Sequence, residues 1–544
     1  MTETREKPAP AGAAIDTVDA VIVGAGFAGM YMLHKLRQLG FTAVVYDAAA
    51  GVGGTWYWNR YPGARCDVES INYSYSFDPD LEQEWEWSER YATQPEILRY
   101  ANHVADRYDL RRDIRFSTRV TAASFDESAQ RWSITTDQGD DVSAQYLVMA
   151  VGCLSTSKMP EIPGIDVFRG NWYHTGHWPH EGVDFTGQRL GVIGTGSSAI
   201  QSIPIFAQQA AHLTVFQRTP NFSLPAKNAP LDPDEFTALK ARYPEHRHEA
   251  RTSAFGVPNP LPEKSALEVS DAEREATYEA GFEKGSLVGM LLSYNDLITD
   301  KAANDTAAEY VRQRIRSIVE DPEVAEALAP TDHPIGTKRP CLDTDYYATY
   351  NRPNVTLVNL RKTPLVEVTE TGVRTSEREY EFDSIVFATG FDAMTGSLVA
   401  FDIKGRDGVM LKEKWAAGPR TYLGVATAQF PNMFMITGPG SPSVLSNMMI
   451  SIEQHVDWIA DAMTYMREHG KQVIDPTLES EDEWTEHVTE VGNTTLYPTA
   501  NSWYMGSNVA GKPRVFLPYI GGVGSYREIC DQVAEKAYDG FDLT

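Results

Sequence analysis

The chain contains two glycine-rich turns of the kind that follow a buried strand and begin a helix. The first is Gly24-Ala-Gly26-Phe-Ala-Gly29; the helix after it stops near Gly40, and a second strand then ends in Asp47. Such glycines let a pyrophosphate approach the helix N-terminus, and the acid accepts a hydrogen bond from a ribose hydroxyl. With all these parts in order, the unit predicts dinucleotide binding. A glycine-rich turn in an unrelated α/β unit is the alternative.

The second glycine-rich turn, residues 194–199, has similar surroundings but a different end. Its second strand leads to Arg218, at the position where the first unit has an acid. A carboxylate would repel a 2′-phosphate, whereas an arginine can hold one in bidentate fashion. We therefore predict FAD in the first unit and NADPH in the second. The NADPH contacts predicted from the turn are Gly194, Thr195, Gly196, Ser197 and Ser198.

Two such units in 544 residues, too many for one core, predict an α/β protein with two Rossmann-like dinucleotide-binding domains. A capping box at Ser270-Asp-Ala-Glu273 and an apolar stripe from Ala308 to Val319 indicate a mainly helical insertion that roofs the active site. The predicted boundaries are a flexible tail over 1–17, an FAD domain over 18–150 and 385–544, an NADP domain over 151–227 and 331–384, and the insertion over 228–330.

Charge and cysteine content exclude several other classes of protein. The formal net charge of −27 argues against nucleic acid or an anionic membrane as a partner. No run approaches the roughly 18 apolar residues that span a bilayer. The four cysteines are widely scattered, which is typical of a reducing cytoplasm and excludes the close cysteine pair of a pyridine-nucleotide disulfide reductase.

The stretch 53–67, GGTWYWNRYPGARCD, begins six residues after Asp47 and should lie near the reactive end of the first dinucleotide. Its glycines let the backbone approach a ligand, and its aromatic side chains can wall a flat ring system. The residues of this stretch predicted to contact the flavin are Gly54, Thr55, Trp56 and Asp67. Outside the stretch, Tyr73 and Met448 are predicted to contact it as well.

Three histidines, spaced three residues apart, lie between the two units in residues 168–180. A metal site built on this spacing would need a helix, and Gly176 with Pro179 disfavours one. We therefore predict no metal, and interpret the segment as a linker whose aromatic side chains pack at a domain junction.

Taken together, these motifs resemble those of the single-chain, type I Baeyer–Villiger monooxygenases. The family fingerprint Phe-x-Gly-x-x-x-His-x-x-x-Trp-Pro is present as Phe168, Gly170, His174, Trp178 and Pro179. A second family pattern is met by Gly54, Trp56, Tyr61, Pro62, Gly63 and Asp67. The loop 438–448 is most similar to that of the phenylacetone and steroid monooxygenases.

The resemblance assigns roles that the local sequence does not. It implies that Arg339 is the catalytic arginine and that Asp67 pairs with it. It also implies that Lys338 assists Arg218 and Thr219 with the 2′-phosphate, and that Trp503 lies on a mobile loop that closes over NADP. The residues expected in the substrate pocket are Cys153, Leu154, Ser443, Val444 and Leu445.

The resemblance also implies the reaction. NADPH reduces the flavin, a C4a-peroxyflavin forms with O₂, and one oxygen atom is inserted beside a ketone carbonyl to give an ester or lactone. A fixed guanidinium that stabilises the developing anions contributes about 3–4 kcal/mol. We expect a cytoplasmic monomer with a small ketone and O₂ as its partners. The alternatives are a flavin monooxygenase of amines or thioethers and a non-enzymatic FAD/NADP redox sensor.

Overall fold

The computed structural model describes residues 16–544, which form twenty strands and sixteen α-helices. The strands are β1 Asp16–Val23, β2 Ala43–Tyr46, β3 Ile114–Arg115, β4 Val120–Asp126, β5 Arg131–Thr136, β6 Asp141–Met149, β7 Asn171–His174, β8 Arg189–Ile193, β9 His212–Gln217, β10 Ser223–Pro225, β11 Cys341–Asp343, β12 Val355–Asn359, β13 Leu365–Val368, β14 Gly372–Thr375, β15 Glu379–Glu381, β16 Ser384–Phe387, β17 Asp402–Lys404, β18 Met433–Met435, β19 Ile474–Pro476 and β20 Phe541–Leu543. The α-helices are α1 Phe27–Gln38, α2 Thr55–Trp58, α3 Pro79–Glu84, α4 Gln94–Arg107, α5 Ser197–Gln209, α6 Pro233–Lys240, α7 Tyr243–Thr252, α8 Asp271–Glu283, α9 Leu287–Leu291, α10 Lys301–Ile318, α11 Pro322–Leu328, α12 Tyr346–Thr349, α13 Leu411–Lys414, α14 Met448–Glu468, α15 Leu478–Asn493 and α16 Val523–Glu535.

The first sheet has the strand order β17-β4-β5-β6-β1-β2-β3, with β18 beside β6. Strand β1 runs parallel to both β2 and β6, whereas β5 is antiparallel to both of its neighbours. The centre of β1 is apolar and fully buried from Ala20 to Ile22, as a strand covered on both faces requires. Helix α1 follows β1 directly and packs against α14.

The second sheet has the order β12-β9-β8-β16-β7, and all of its pairs are parallel. Helix α5 follows β8 after the second glycine turn, so the two predicted dinucleotide units lie in separate sheets. The α/β fold with two Rossmann-like domains is thereby confirmed.

The segment from 228 to 330 contains helices α6 to α11. The Ser270 hydroxyl accepts from the Glu273 backbone N–H at the start of α8, which confirms the capping box. In α10 the apolar stripe is buried at Ala308 and Val311, while Val319 lies just beyond the end of the helix and is buried too.

The structure moves one predicted boundary. Strand β16 pairs with β8 and β7 of the second sheet, so residues 385–387 belong to the NADP domain rather than to the FAD domain. An apolar strand buried on both faces does not reveal in its sequence which sheet it joins. Of the predicted tail, residues 1–15 lie outside the described part of the chain, and residues 16–17 belong to β1. No helix within 16–544 is long and apolar enough to cross a membrane.

Candidate active site

The first glycine turn has no room for a side chain at its first and third glycines. A Cβ on Gly24, where φ is +108°, would lie 2.4 Å from the Ala150 carbonyl oxygen, and one on Gly29 would lie 1.8 Å from the Gly24 oxygen. Gly26 is the N-cap of α1, and no side chain in the described part of the chain caps this helix. A helix N-terminus without a side-chain cap, preceded by a glycine turn, fits the pyrophosphate of FAD.

Asp47 is held beside this turn by backbone groups. Its carboxylate accepts from the Ala25 N–H at 2.5 Å and from the Ala49 N–H at 2.7 Å. Burial raises the pKa of Asp47, and the two backbone donors oppose that shift. The carboxylate is therefore fixed just beyond the end of β2, the position from which such an acid can accept a hydrogen bond from the ribose of a dinucleotide.

The aromatic stretch packs directly on the turn. A Cβ on Gly54 would lie 2.9 Å from the Gly26 Cα, so the two backbones are in contact. The Trp56 indole N–H donates to the Tyr73 hydroxyl at 3.0 Å, and Met448 packs against the apolar cluster that contains both rings. Thr55 is the first residue of α2, so Thr55 and Trp56 directly follow the glycine that lies against the first turn.

The second glycine turn repeats this construction. A Cβ on Gly194 would lie 2.4 Å from the Ala388 oxygen, and Gly196 begins α5 without a side-chain cap from the described residues. The neighbouring hydroxyls bond to protein groups: Thr195 to the Thr219 carbonyl, Ser198 to Thr175, and Ser197 to the Cys341 thiol.

Two arginines follow the ends of neighbouring strands at this edge of the sheet. Strands β9 and β12 are parallel with Gln217 opposite Asn359, so Arg218 and Arg361 leave the sheet at the same edge. Sequence reasoning identified Arg218 and missed Arg361, since the pairing of β12 with β9 is what brings the second arginine there.

Lys338 lies close enough to Arg218 and Arg361 for their charges to affect it. Burial lowers its pKa, Asp332 opposes that shift, and Arg361 and Arg218 add to it. Arg361 forms an ion pair with Asp332, while Arg218 is exposed. Several mutually repelling cations at one sheet edge suit a phosphate dianion.

Arg339 and Asp67 form a bidentate ion pair. Arg339 Nε and Nη2 donate to the two carboxylate oxygens of Asp67, each at 2.8 Å, and Nη1 donates to the Val444 carbonyl at 2.9 Å. Burial alone would lower the pKa of Arg339, but Asp67 and the nearby Tyr504 raise it well above the usual value. The guanidinium therefore stays charged in a fixed orientation.

This ion pair lies in a cleft of about 400 Å³. Arg339 and Asp67 are 26% and 25% exposed, respectively, and both line the cleft. Much of the remaining wall comes from segment 228–330, including helix α9. These apolar wall residues are Val257, Leu261, Leu287, Val288, Leu291, Leu292, Leu297 and Ile298.

The predicted pocket residues fall into two groups. Leu445 lines the cleft, whereas Cys153, Ser443 and Val444 are buried. The Cys153 thiol lies 3.2 Å from the Ser443 hydroxyl. Leu154 packs in the same apolar cluster as Cys153 and Val444.

Trp503 begins a short 3-10 helix, and its ring lies 4.1 Å from that of Tyr504. The loop that follows is bonded to residues 391 and 392, which come shortly after β16. Lys512 pairs with Asp392 at 2.6 Å, and the Asn508 side chain donates to the Phe391 carbonyl. Tyr504, the next residue of the same 3-10 helix, lines the cleft.

The fingerprint segment joins the two domains. His174 Nδ1 accepts from the Gly176 N–H at 3.0 Å, and its Nε2 lies 3.2 Å from the Lys158 carbonyl. Burial lowers the pKa of His174 to about 4, so the ring is neutral. No cluster of metal-ligating side chains occurs within residues 16–544, and Trp178 is stacked on Phe206 of α5.

The outer part of the same segment contacts the FAD domain. The rings of His177 and His180 lie beside Trp58 and Tyr57, respectively. Phe168 is half-buried in the cluster around β16, and a Cβ on Gly170 would lie 2.5 Å from the Asp383 oxygen. The segment is thus a junction between domains, as its aromatic content predicted.

Two glycine turns that fit dinucleotides, with a fixed guanidinium in a nearby apolar cleft, define the class as pyridine-nucleotide-dependent flavoproteins. A family model described as pyridine nucleotide-disulphide oxidoreductase matches residues 21–251, although all four cysteines here are free and buried. A Baeyer–Villiger monooxygenase from Pseudooceanicola batsensis is 44% identical over 96% of this chain and 95% of that protein.

Solved structures agree with this assignment. Oxidized steroid monooxygenase bound to NADP is 56% identical, with a TM-score of 0.93, over 97% of this chain and 99% of that one. A complex of OTEMO with FAD and NADP is 42% identical, with a TM-score of 0.94, over the same shares of the two chains. The chain therefore belongs to the Baeyer–Villiger monooxygenases, NADPH-dependent flavoproteins that use FAD to convert ketones into esters or lactones.

Proposed function

We propose that this protein oxygenates bulky, largely apolar ketones in the cleft that contains Arg339 and Asp67. The observation that carries the proposal is the position of the Arg339 guanidinium, held by three hydrogen bonds at the polar part of a mainly apolar wall. An apolar wall binds the body of a ketone by burial of its surface. The guanidinium offers hydrogen bonds where the carbonyl oxygen gains charge.

The groups proposed to hold the cofactors lie on the two glycine turns and the residues around them. FAD is assigned to the first turn with Asp47 and the aromatic stretch, and NADPH to the second turn with Arg218, Thr219 and Lys338. FAD held there and reduced by NADPH would activate O₂, which is the source of the inserted oxygen atom. The protein must then stabilise charge and exclude water.

Arg339 is proposed to stabilise the negative charge that develops on the ketone oxygen during attack. Because Asp67 and the Val444 carbonyl fix its orientation, no reorganisation is needed when that charge appears. The permanent charge of an arginine means that this stabilisation does not depend on a proton arriving.

Asp67 is proposed to orient the guanidinium and to balance its charge before substrate binds. A buried cation without a partner is costly, whereas a bidentate pair satisfies both groups. The apolar side chains from the insertion exclude water, which strengthens the interaction between Arg339 and the developing anion.

Further proposals concern the context in which the enzyme works. The chain acts as a monomer on a ketone and O₂, without nucleic acid or a membrane. It works in the cytoplasm, since its four cysteines are free and suit a reducing compartment.

A panel of ketones tests the proposal. Small acyclic, monocyclic and polycyclic ketones are each incubated with the FAD-loaded protein, NADPH and ¹⁸O₂, and products are analysed by mass spectrometry. We expect esters or lactones that carry one ¹⁸O atom, with polycyclic ketones turned over at the lowest KM. Oxygenation of amines or thioethers with no ester from any ketone would contradict the proposal, as would NADPH oxidation without an oxygenated product.

A further inference from the structure

The Arg339 guanidinium is connected to the C-terminal part of the chain through buried groups. Its Nη1 donates to the carbonyl of Val444, the middle residue of the 3-10 turn Ser443–Leu445. The Ser443 hydroxyl donates to the Thr437 carbonyl at 3.3 Å. The peptide that accepts from Arg339 is thus fixed by the residue that precedes it.

Two residues of this connection have unfavourable backbone angles. The φ angles of Thr437 and Ser443 are +57° and +35°, both in the left-handed region although neither residue is a glycine. Such angles persist only where surrounding contacts hold them. Thr437 and Ser443 therefore need partners on their other sides.

His455 in helix α14 is the partner of Thr437. Its Nδ1 accepts from the Thr437 N–H at 2.9 Å, so the ring proton must be on Nε2, which lies 2.8 Å from the Tyr526 hydroxyl. That hydroxyl donates in turn to the Leu423 carbonyl. His455 thus has one tautomer and one orientation.

His455 is fully buried. Burial and the nearby Arg527 lower its pKa to about 3, so the ring stays neutral in the folded protein. A buried polar ring costs free energy unless both nitrogens are paired, and here the two partners are the Thr437 amide and the Tyr526 hydroxyl. Packing alone would be served as well by an apolar side chain of similar size.

We propose that His455 is a positioning residue for Arg339. It holds Thr437 in its left-handed conformation, Thr437 holds Ser443, and the Ser443–Leu445 turn then presents the Val444 carbonyl to the guanidinium. The proposal rests on the role given to Arg339 above. It extends the active site from the cleft to helix α14 and to Tyr526 of α16.

Replacement of His455 by leucine keeps most of the volume and removes the acceptor. The Thr437 amide then loses its buried partner, the 437–445 segment relaxes, and Arg339 loses its third hydrogen bond. We expect ester formed per NADPH oxidised to fall about tenfold, with a matching rise in hydrogen peroxide. FAD should stay bound, because Asp47 bonds to Ala25 and Ala49 whereas the His455 ring bonds to Thr437 and Tyr526.

His455→Asn is the rescue variant, since the Asn side-chain oxygen occupies nearly the position of Nδ1 and accepts from Thr437. Val456→Ala is the matched control: it removes buried volume from the next residue of α14 without touching the chain of hydrogen bonds. We expect His455→Asn to recover most of the ester yield. Val456→Ala should lower Tm while its ester yield stays at the wild-type level.

Hydrogen exchange of the Thr437 amide gives a readout that does not depend on turnover. Protection should be lost in His455→Leu and retained in both His455→Asn and Val456→Ala. Wild-type ester yield in a folded His455→Leu, or equal losses in His455→Leu and Val456→Ala, would overturn the proposal. If His455→Leu does not fold, Tyr526→Phe takes its place, since it removes the partner of His455 Nε2. This variant must then form less ester per NADPH oxidised, or the proposal is wrong.

Arg339→Ala is measured in parallel. If that variant still forms ester at the wild-type rate, the role proposed for Arg339 is wrong. If it does not, and His455→Leu does, only the positioning role of His455 fails.

Discussion

Arg339 Nε and Nη2 bind the two carboxylate oxygens of Asp67 at 2.8 Å although the residues are 272 positions apart. Asp67 is the last residue of the aromatic stretch 53–67, and Arg339 lies where the chain returns from the helical segment 228–330. The ion pair therefore forms only when the two domains are docked. Docking of the two domains therefore sets the position of the cation in the cleft.

We expect Arg339→Ala to lower ester formation at least about a hundredfold, the usual cost of a lost oxyanion donor. FAD should remain bound, because its glycine turn and Asp47 do not contact Arg339. Product analysis and flavin absorbance of the purified variant measure the two effects separately.

Arg339→Lys serves as the charge-preserving control. A flexible ammonium cannot make the two parallel hydrogen bonds to Asp67, so we expect little recovery of ester formation. Full recovery would show that charge alone matters, and wild-type activity in Arg339→Ala would remove the residue from the mechanism.

Arg218→Ala should raise the KM for NADPH more than tenfold and change the KM for NADH little. The physical reason is that a 2′-phosphate loses a charge-assisted partner at the end of β9. Steady-state kinetics with both coenzymes test this.

Lys362→Ala is the matched control for this prediction. Lys362 follows Arg361 in sequence but is paired with Glu323, so its removal should change neither constant. Equal losses with NADPH and NADH in Arg218→Ala would mean that Arg218 only supports the fold.

The sequence predicted those parts of the protein that rest on local rules. A strand, a glycine turn and a helix are coded within about 20 residues, and the acid or arginine after the next strand has a fixed offset. The capping box at Ser270 and the buried face of α10 are local in the same sense, and both were found.

The remaining features depend on contacts between distant segments. Nothing near Arg339 in sequence marks it as special, so the family resemblance assigned its role and its pairing with Asp67. The structure added the Val444 carbonyl as a further hydrogen-bond partner. Arg361 reaches the cationic edge because β12 pairs with β9, and β16 joins the second sheet although its own residues fit either one. From its sequence position alone, His455 is an ordinary core residue of α14. Only the folded structure shows that its ring accepts a hydrogen bond from the Thr437 amide.

His174 predicts a pH dependence of stability. Its folded pKa of about 4 lies below the ordinary value of 6.5, so between these values the unfolded chain binds more protons. Stability therefore rises with pH across this window, and the contribution is lost as the pH falls toward 4. Protonation of Nδ1 would break its hydrogen bond from Gly176. The full contribution is roughly 3 kcal/mol.

His174→Gln removes this titration. We expect the gain in free energy of unfolding between pH 5 and pH 8, measured with urea, to be about 2 kcal/mol smaller in the variant than in the wild type. Comparison within the pair cancels the contributions of other histidines such as His455. An identical gain in both proteins would show that His174 titrates normally.

Leu445 is predicted to determine which ketones are accepted. Among the loop residues expected in the pocket it is the one that lines the cleft, whereas Ser443 is buried and the Val444 carbonyl accepts a hydrogen bond from Arg339. Leu445→Ala should enlarge the cleft and lower the KM for polycyclic ketones relative to monocyclic ones. Flavin reduction by NADPH should be unchanged, since the side chain has no polar group to lose. Leu478→Ala, which truncates a surface leucine at the start of α15, is the control, and an unchanged ratio of the two KM values in Leu445→Ala would place the ketone elsewhere.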